Sequence, residues 1–398
     1  MIAIEKMIAA NRADCCGCYA CYNACPFGAI TMAEDEEGFR YPRVDAERCR
    51  NCGKCERTCP VLNPIEREQE STPVTYAAIN KDEAVRADSS SGGMFHLFAG
   101  QILAQGGIVF GAGFDANWEV CHQSVERVDD LGRLRVSKYL QSRIETTFQQ
   151  VVGHLRQGRR VLFAGTPCQC AALRRFVGKN DENLVLVDFI CHGVPSPKIW
   201  RKYLALRANK KEIQGISFRN KNLSWERYLL AISYGNANKY LAADLNTDLY
   251  LRGFLQNLYL RPSCHSCHFC KKNRPSDITL ADFWGVQEES PDMYDGKGTS
   301  LIFIQSQKGK ALFQQVQDRA RIKKQDFAKA IRHNPSMIQS STPSTKRAAF
   351  FRDVQRNEMD FMKLLYSYTK PPFKARVKQW IRKVPGTVAF IHMIKGKQ

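Results

Sequence analysis

The spacing of two cysteine runs constrains this chain more than any other feature. The run C-x2-C-x2-C-x3-C-P occurs twice, from Cys15 to Pro26 and from Cys49 to Pro60. Thiolates at every third residue can reach three corners of a small cube, and in bacterial proteins with two [4Fe–4S] clusters each such run lends its fourth cysteine to the other cluster. One cluster is therefore predicted to be held by Cys15, Cys18, Cys21 and Cys59. The other is predicted to be held by Cys49, Cys52, Cys55 and Cys25.

Eight cysteines could also form a disulfide framework or a pair of zinc sites. Two complete eleven-residue matches are difficult to obtain by chance, so the clusters are favoured over both alternatives. Cys16 has no place in the repeat and is interpreted as a bystander rather than a ligand. The repeat predicts a protein that transfers electrons.

Length and cysteine usage favour the reducing cytoplasm. The 398 residues leave room for two or three domains with a sizeable core. Residues 1–14 lack the apolar run of a signal peptide, and oxygen-sensitive clusters with many free thiols favour a reducing compartment. No stretch approaches the roughly 20 apolar residues of a membrane span. We therefore expect a cytoplasmic protein, soluble or peripheral at the inner membrane face.

The pattern of apolar and polar residues changes after a polar linker at residues 64–73. From there on, short apolar runs flanked by glycine or polar turns alternate with helical segments, which is typical of an α/β domain. The predicted strands are Ile108–Phe110, Val161–Ala164, Leu184–Ile190, Ile216–Arg219 and Tyr228–Tyr234. Beyond Lys308 the chain is predicted to be helical and basic. The expected fold class is α+β for the cluster domain, followed by an α/β domain and a basic helical C-terminus.

One unit of the α/β domain predicts a thiol pair. Strand 161–164, a helix starting at Cys168, and strand 184–190 have the size of a right-handed βαβ crossover of about 30 residues. The carboxyl ends of parallel strands meet at one edge of a sheet, where open α/β sheets bind ligands. Cys168 and Cys191 should therefore be neighbours.

A third thiol group follows in the spacing Cys264-x2-Cys267-x2-Cys270. Together with Cys168 and Cys191 it offers five thiols for four ligand positions. Spacing alone is equally compatible with a zinc site and a [4Fe–4S] cluster. The two preceding cluster motifs favour iron, because a third cluster would carry electrons into the α/β domain.

Clusters pass single electrons, so an enzyme acting on a hydride donor also needs a flavin. The absence of G-x-G-x-x-G disfavours a Rossmann flavoprotein. The loop Ser89–Gly93 precedes a helical segment, and its small residues would let backbone N–H groups approach a phosphate. An ordinary capped helix start is the alternative interpretation.

These residues belong to a set of motifs with a known order. They are DSSSGGMF (88–95), SKYLQS (137–142), GTPCQCAAL (165–173), DFICHGVPSP (188–197) and RPSCHSC with RPSDITLADFW (261–284). In this order they resemble the coenzyme F420 hydrogenase/dehydrogenase beta-subunit family over about residues 15–345.

The resemblance implies binding of FAD and of a [4Fe–4S] cluster, with hydride transfer between a reduced deazaflavin and the flavin. It implies FAD contacts from Ser89, Ser90, Ser91, Gly92, Gly93, Ser137, Lys138, Tyr139 and Ser142. It implies cluster ligation by Cys168, Cys191, Cys264 and Cys267. Cys270 has no counterpart in the family pattern, and no catalytic acid or base is assigned because hydride transfer needs positioning rather than proton transfer.

Four segments are expected. Residues 1–66 would form the two-cluster ferredoxin domain, 74–185 and 186–345 the two parts of the flavin-binding domain, and 346–398 a basic helical tail. The expected function is an iron–sulfur flavoprotein oxidoreductase, whose partners are an F420-like carrier, a ferredoxin or a partner subunit. A non-catalytic electron-relay subunit and a reductase of polysaccharide biosynthesis are the alternatives.

The net charge of +20 resides mainly near the C-terminus. Residues 301–398 contain 21 Lys and Arg against 5 Asp and Glu, whereas residues 1–70 contain 9 against 12. Residues 373–383 place apolar side chains on one helical stripe, so residues 371–398 could lie on an anionic membrane surface. Packing of the stripe on the protein's own core is the alternative, and nucleic-acid binding is disfavoured because no binding module is recognised.

Overall fold

The computed structural model describes residues 4–5, 10–65, 72–178, 180–208, 212–235 and 239–370. The predicted helical stripe at 373–383 and the predicted membrane contact of 371–398 lie outside these residues. Within the described ranges, no helix combines the length and apolar character that crossing a bilayer requires.

The cysteine repeat folds into two similar turns beside one β-hairpin. Its elements are α1 (Ala20–Ala24), β1 (Ile30–Glu34), β2 (Arg40–Val44) and α2 (Lys54–Thr58). Each helix begins two residues after the second cysteine of its run and carries the third. Both helices follow a residue with left-handed backbone, Tyr19 at φ 64° and Gly53 at φ 70°. The repeated spacing therefore produces a repeated local structure.

A mixed sheet of eight strands forms the centre of the α/β domain. Its strands are β3 (Val74–Asn80), β4 (Ile108–Phe114), β5 (Val120–Val125), β6 (Val161–Ala164), β7 (Leu184–Phe189), β11 (Ile278–Asp282), β12 (Ser300–Ile304) and β13 (Ala320–Gln325). Their spatial order is β13-β3-β12-β11-β7-β6-β4-β5. The four central strands β11, β7, β6 and β4 are parallel, and antiparallel strands complete both edges. A second, antiparallel sheet contains β8 (Ile213–Asn220), β9 (Leu229–Tyr234) and β10 (Lys239–Asp244).

Eleven further α-helices lie among the described residues. They are α3 (Glu83–Ala87), α4 (Met94–Ala104), α5 (Thr147–Arg156), α6 (Pro167–Val177), α7 (Pro197–Ala208), α8 (Leu249–Leu255), α9 (Val286–Glu289), α10 (Gln307–Gln314), α11 (Phe327–Ile331), α12 (Arg347–Arg356) and α13 (Phe361–Thr369). Helix α6 has a complete capping box on Thr166 and Gln169 with a proline in its first turn, so its start is strongly encoded.

The predicted crossover is confirmed. Strands β6 and β7 are parallel, with Val161 opposite Leu184, and α6 connects them. The other predicted strands correspond to β4, β8 and β9. The expectation of helices alone beyond Lys308 is wrong, because β13 pairs antiparallel with β3 at the sheet edge. Its lysines are the exposed charges that natural edge strands carry, and they conceal the alternation of a strand.

The ferredoxin domain shares a hydrophobic core with the rest of the protein. Phe39 and Tyr41 of its hairpin belong to the same buried cluster as Trp200 of α7 and Phe350 of α12. Ion pairs reinforce this seam, among them the one between Arg347 and Glu37. The packing fixes the ferredoxin domain against the edge of the sheet where the crossover ends.

Candidate functional site

The four cysteines predicted to hold the first cluster line one cavity in the ferredoxin domain. We call this group the seam site; it comprises Cys15, Cys18, Cys21 and Cys59. All four cysteines are buried. Burial raises the pKa of Cys21 and of Cys59, so cluster binding there must displace thiol protons.

The second predicted set is the more exposed of the two. We call it the outer site; it comprises Cys25, Cys49, Cys52 and Cys55. Cys25 and Cys55 belong to one apolar cluster, and Cys25 Sγ accepts the N–H of Ala29 at 3.3 Å. Cys52 is exposed, so the outer site is more accessible to solvent than the seam site.

A second cavity, of about 700 Å³ and partly open to solvent, lies at the C-terminal edge of the parallel strands. The four cysteines that the family resemblance implies as ligands line it. We call this group the sheet-edge site; it comprises Cys168, Cys191, Cys264 and Cys267. Cys168 lies in the first turn of α6, and Cys191 follows the last residue of β7 by two positions. The predicted proximity of Cys168 and Cys191 is thereby confirmed.

Cys264 reaches this edge through a long-range pairing. Pro195 forms an antiparallel bridge with Leu260, and the N–H of Arg261 donates to Val194 O at 2.9 Å. The N–H of Val194 in turn donates to Cys264 Sγ at 3.4 Å. The segment that follows β7 therefore holds the third thiol group beside Cys191.

Two more cysteines line the same cavity. They are Cys16 and Cys270, and a hydrogen bond from Cys270 lowers the pKa of Cys267. The thiol of Cys16 interacts with that of Cys168 and with that of Cys18. The cysteine spacing gives Cys16 no role, whereas in the folded chain this residue bridges the seam site and the sheet-edge site.

Cysteine thiols supply the donors at the seam site and the sheet-edge site, and this donor set fits a [4Fe–4S] cluster. Such a cube distributes its thiolates over separate iron atoms, so each cysteine occupies its own corner. Across the described residues, no three His, Cys, Asp or Glu side chains are grouped as ligands of one metal ion.

The two segments predicted to contact FAD meet in the structure. The N–H of Ser137 donates to Ser90 Oγ at 2.8 Å, and the two hydroxyl oxygens are 3.2 Å apart. Four residues further along, Gln141 Nε2 donates to Cys16 O at 3.1 Å. The segment 137–142 thus connects the Ser89–Gly93 loop to the sheet-edge cavity.

Helix α4 begins at this loop without a side-chain cap. Gly93 precedes it at φ 82°. Arg135 Nη2 lies 3.6 Å from Asp88 Oδ2, at the start of the loop. Within the described part of the chain, Arg135 Nε and His96 Nδ1 are buried without a hydrogen-bond partner. Free backbone N–H groups and an unused guanidinium donor fit a phosphate group.

Lys138 and Tyr139 already have partners within the protein. Lys138 Nζ donates to the carbonyls of Arg135 and Val136 at 2.6 and 3.2 Å. Burial lowers the pKa of Lys138 to about 7. The ring of Tyr139 stacks on Phe254 at 4.7 Å. These contacts shape the turn that presents Ser137, and direct contacts from Lys138 and Tyr139 to FAD stay predictions.

Ser142 is buried and supports a neutral histidine. His122 Nε2 lies 3.0 Å from Ala164 O, and His122 Nδ1 lies 2.7 Å from Ser142 Oγ. A carbonyl only accepts, so Nε2 carries the proton and the Ser142 hydroxyl donates to Nδ1. The imidazole stacks on Phe163 at 4.8 Å. Ser142 therefore helps to tie segment 137–142 to the end of β6, and its contact with FAD stays a prediction.

Because His122 is buried and neutral, we expect the free energy of unfolding to decrease at acidic pH. Burial lowers the pKa of His122 to about 4, whereas an unfolded histidine titrates near 6.5. Between these values the unfolded chain binds the proton and the folded chain does not, so stability falls as the pH falls through this window. At pH 5.5 the loss relative to pH 7.5 should be about 1 kcal/mol. His122→Gln should lack this loss, so the unfolding midpoints of wild type and variant should converge on acidification. A constant difference would show that His122 has the same pKa in the folded and the unfolded chain.

The comparisons with known proteins match two parts of the chain. Residues 158–330 match the family described as the C terminus of the coenzyme F420 hydrogenase/dehydrogenase beta subunit, and residues 14–63 match the 4Fe-4S dicluster domain. The F subunit of the F(420)H(2) dehydrogenase of Methanosarcina mazei is 26% identical over 331 residues, which cover 77% of this chain and 84% of that protein. The chain is thus related to the coenzyme F420 hydrogenase/dehydrogenase beta subunit over residues 158–330, and to the F subunit of the F(420)H(2) dehydrogenase over most of its length.

The chain is an iron–sulfur electron-transfer protein related to these oxidoreductases, with a ferredoxin domain that binds [4Fe–4S] clusters. Its ferredoxin domain is also similar to the VorC subunit of the ketoisovalerate oxidoreductase of Methanothermobacter marburgensis, at 40% identity over 58 residues, 14% of this chain and 73% of that protein. A chain of the xenon-derivatized F420-reducing [NiFe] hydrogenase complex from Methanosarcina barkeri aligns with 65% of this chain and 84% of its own length, at 18% identity and a TM-score of 0.44.

Proposed function

We propose that this chain is a flavin-dependent oxidoreductase subunit that links a two-electron carrier, such as reduced coenzyme F420, to three [4Fe–4S] clusters. FAD, when bound, supplies the conversion between a hydride and single electrons, and the clusters supply single-electron transfer. In this proposal the flavin lies at one end of the row of cofactors, and the outer cluster, from which electrons leave, lies at the other end.

One observation carries the proposal: the implied cofactor sites are contiguous. Ser137 bonds to the Ser89–Gly93 loop, and four residues later Gln141 bonds to Cys16 O at the sheet-edge cavity. Cys16 in turn interacts with Cys18 of the seam site. A path from flavin to sheet-edge site to seam site therefore runs through adjacent residues.

The surroundings of the loop support FAD as the two-electron group. The uncapped start of α4 and the unused Arg135 Nε would bind a pyrophosphate, and Ser90 and Ser137 would orient it by hydroxyl hydrogen bonds. These residues bind and orient; none of them needs to move a proton for a hydride to transfer.

The outer site would be the exit to a redox partner. Cys52 is exposed there, whereas the seam site is enclosed by the α/β domain. The relatives named above are subunits of larger oxidoreductases. We therefore propose that a partner subunit or a soluble ferredoxin docks at the outer site.

Anaerobic purification with iron, zinc and flavin measured on one sample tests the proposal. About twelve irons and about one FAD per chain are expected, since each of three clusters contains four irons. Reduced coenzyme F420 should then bleach the flavin absorption, and NADPH serves as the alternative donor. About eight irons with zinc and no flavin would contradict the proposal and would favour a ferredoxin-type relay on a zinc-stabilised platform.

A further inference from the structure

Arg261 connects the seam site to the α/β domain from a fully buried position. Its side chain has 0% relative exposure. Its Nε donates to Cys15 O at 2.8 Å, and Nη2 lies 3.7 Å from Cys15 Sγ. Nη1 donates to Gln141 Oε1 at 3.0 Å, and Nη2 also donates to Arg40 O at 3.0 Å. Each nitrogen of the guanidinium is thus engaged, one of them with a sulfur of the seam site.

The cysteine loop and the hairpin of the ferredoxin domain pack closely against this guanidinium. Gly17, between two seam cysteines, has φ 65°, and a Cβ there would lie 2.7 Å from Arg261 Nη1. The guanidinium also lies 4.2 Å from the centre of the Tyr41 ring. The cysteine loop, the hairpin and the segment before Cys264 therefore all converge on one cation.

The charge of Arg261 has no carboxylate partner within 4 Å among the described residues. Asp35, whose carboxylate is close enough to be influenced by Arg261, lies 3.4 Å from Arg12 instead. A buried cation is costly unless an anion compensates it. Among the groups that can become anionic, the seam thiol of Cys15 is in direct contact with the guanidinium, and Cys16 and Cys264 also act on its charge. A cluster bound by four thiolates would supply the missing negative charge.

The outer site has no comparable buried cation in contact with sulfur among the residues that the structure describes. Arg57 donates to Cys52 O at 2.9 Å, but its side chain is exposed and its charge is screened by water. Glu56 places a negative charge near Cys55 instead. The seam site therefore has a buried positive charge that the described surroundings of the outer site lack.

We infer that Arg261 raises the reduction potential of the seam cluster above that of the outer cluster and makes it the first acceptor of electrons from the α/β domain. A fixed positive charge and a hydrogen bond to a ligand sulfur both stabilise the added electron. The same arginine lies three residues before Cys264, so one residue positions the acceptor cluster against the sheet-edge site. This inference rests on the proposed cluster path.

The test is an anaerobic redox titration of the full chain with dithionite and mediators, followed by electron paramagnetic resonance. Arg261→Met should lower the ratio of reduced to oxidised seam cluster about tenfold at the wild-type midpoint, which is about 59 mV for one electron. Arg261→Lys keeps the charge but not the planar fork, and should give a smaller shift in the same direction. Arg347→Met is the matched control, because Arg347 bonds across the same seam to Glu37 without touching sulfur.

The outcomes separate this inference from the proposed function. Cys52→Ser, at the exposed outer site, identifies which spectral component belongs to the outer cluster. An unchanged seam midpoint in an iron-loaded Arg261→Met protein, or a shift of the outer component instead, overturns the inference. If Arg261→Met fails to load iron, Arg261→Gln, which removes the charge but keeps polar contacts, decides, and an unshifted seam midpoint there overturns the inference. The titration uses neither flavin nor donor, so a failure of F420-dependent activity leaves this result intact.

Discussion

Cys264→Ser is expected to remove about four irons per chain while the two ferredoxin clusters remain. Cys264 lies on the segment paired with the loop after β7, and its Sγ accepts the N–H of Val194 at 3.4 Å. Serine fits the same space but does not ionise near neutral pH, so it cannot replace the thiolate ligand. The fold should be retained, because a hydroxyl can accept the same N–H.

The expected phenotype is a break in the electron path. Flavin should still be reduced by its donor, whereas donor-driven reduction of the ferredoxin clusters should be lost. Iron analysis and stopped-flow absorption measure the two effects separately. Cys121→Ser is the matched control, because Cys121 on β5 is partly buried but lines neither of the two thiol cavities described above. Full iron content in Cys264→Ser would show that Cys270 or Cys16 replaces the missing ligand or that no third cluster exists.

Gly92→Ala is expected to destabilise the fold by about 3 kcal/mol and to lower the flavin content. The N–H of Gly92 donates to Ser300 Oγ at 2.9 Å, and Gly92 O accepts the N–H of Asn80 at 2.8 Å. A Cβ at this position would overlap Ala78 O and lie 2.7 Å from Ser300 N. Both obstacles are backbone atoms of paired strands, so the loop must shift to admit a methyl group.

A nearby glycine provides the control. Gly100 lies within α4, and a Cβ there would meet nothing within 4 Å. Gly100→Ala should therefore stabilise the helix by about 0.5–1 kcal/mol. Thermal unfolding followed by circular dichroism under anaerobic conditions compares the two variants. Equal midpoints for Gly92→Ala and wild type would contradict the close approach of the loop to β3 and β12.

The destabilisation expected for Gly92→Ala results from contacts between the loop and the neighbouring strands. It does not require that Gly92 itself contacts a phosphate. The small residues of Ser89–Gly93 predict room for a phosphate, yet Gly92 is required first by the neighbouring strands. The surface that fits a phosphate lies beside it, at the uncapped start of α4 and Arg135. One residue of the motif thus serves packing, while its neighbours would supply the proposed phosphate contacts.

The sequence by itself determined two kinds of feature: local structure, and the proximity of residues that follow neighbouring parallel strands. The repeated cysteine spacing specified two similar turns, because each helix starts two residues after the second cysteine of its run. The alternation of strand, helix and strand placed Cys168 and Cys191 at one edge, because parallel strands end on the same side. Both inferences depend on residues within about 30 positions of one another.

What only the tertiary structure decided depends on contacts between distant parts of the chain. Arg261 contacts Cys15 across 246 positions, and Gln141 contacts Cys16 across 125. No periodicity connects such residues, since their proximity results from the packing of the ferredoxin domain on the sheet edge. The position of Cys264, the bridging place of Cys16 and the buried charge of Arg261 all arise from that packing. Spacing thus specifies which thiols can hold a cluster, and tertiary packing determines which electrostatic field that cluster experiences.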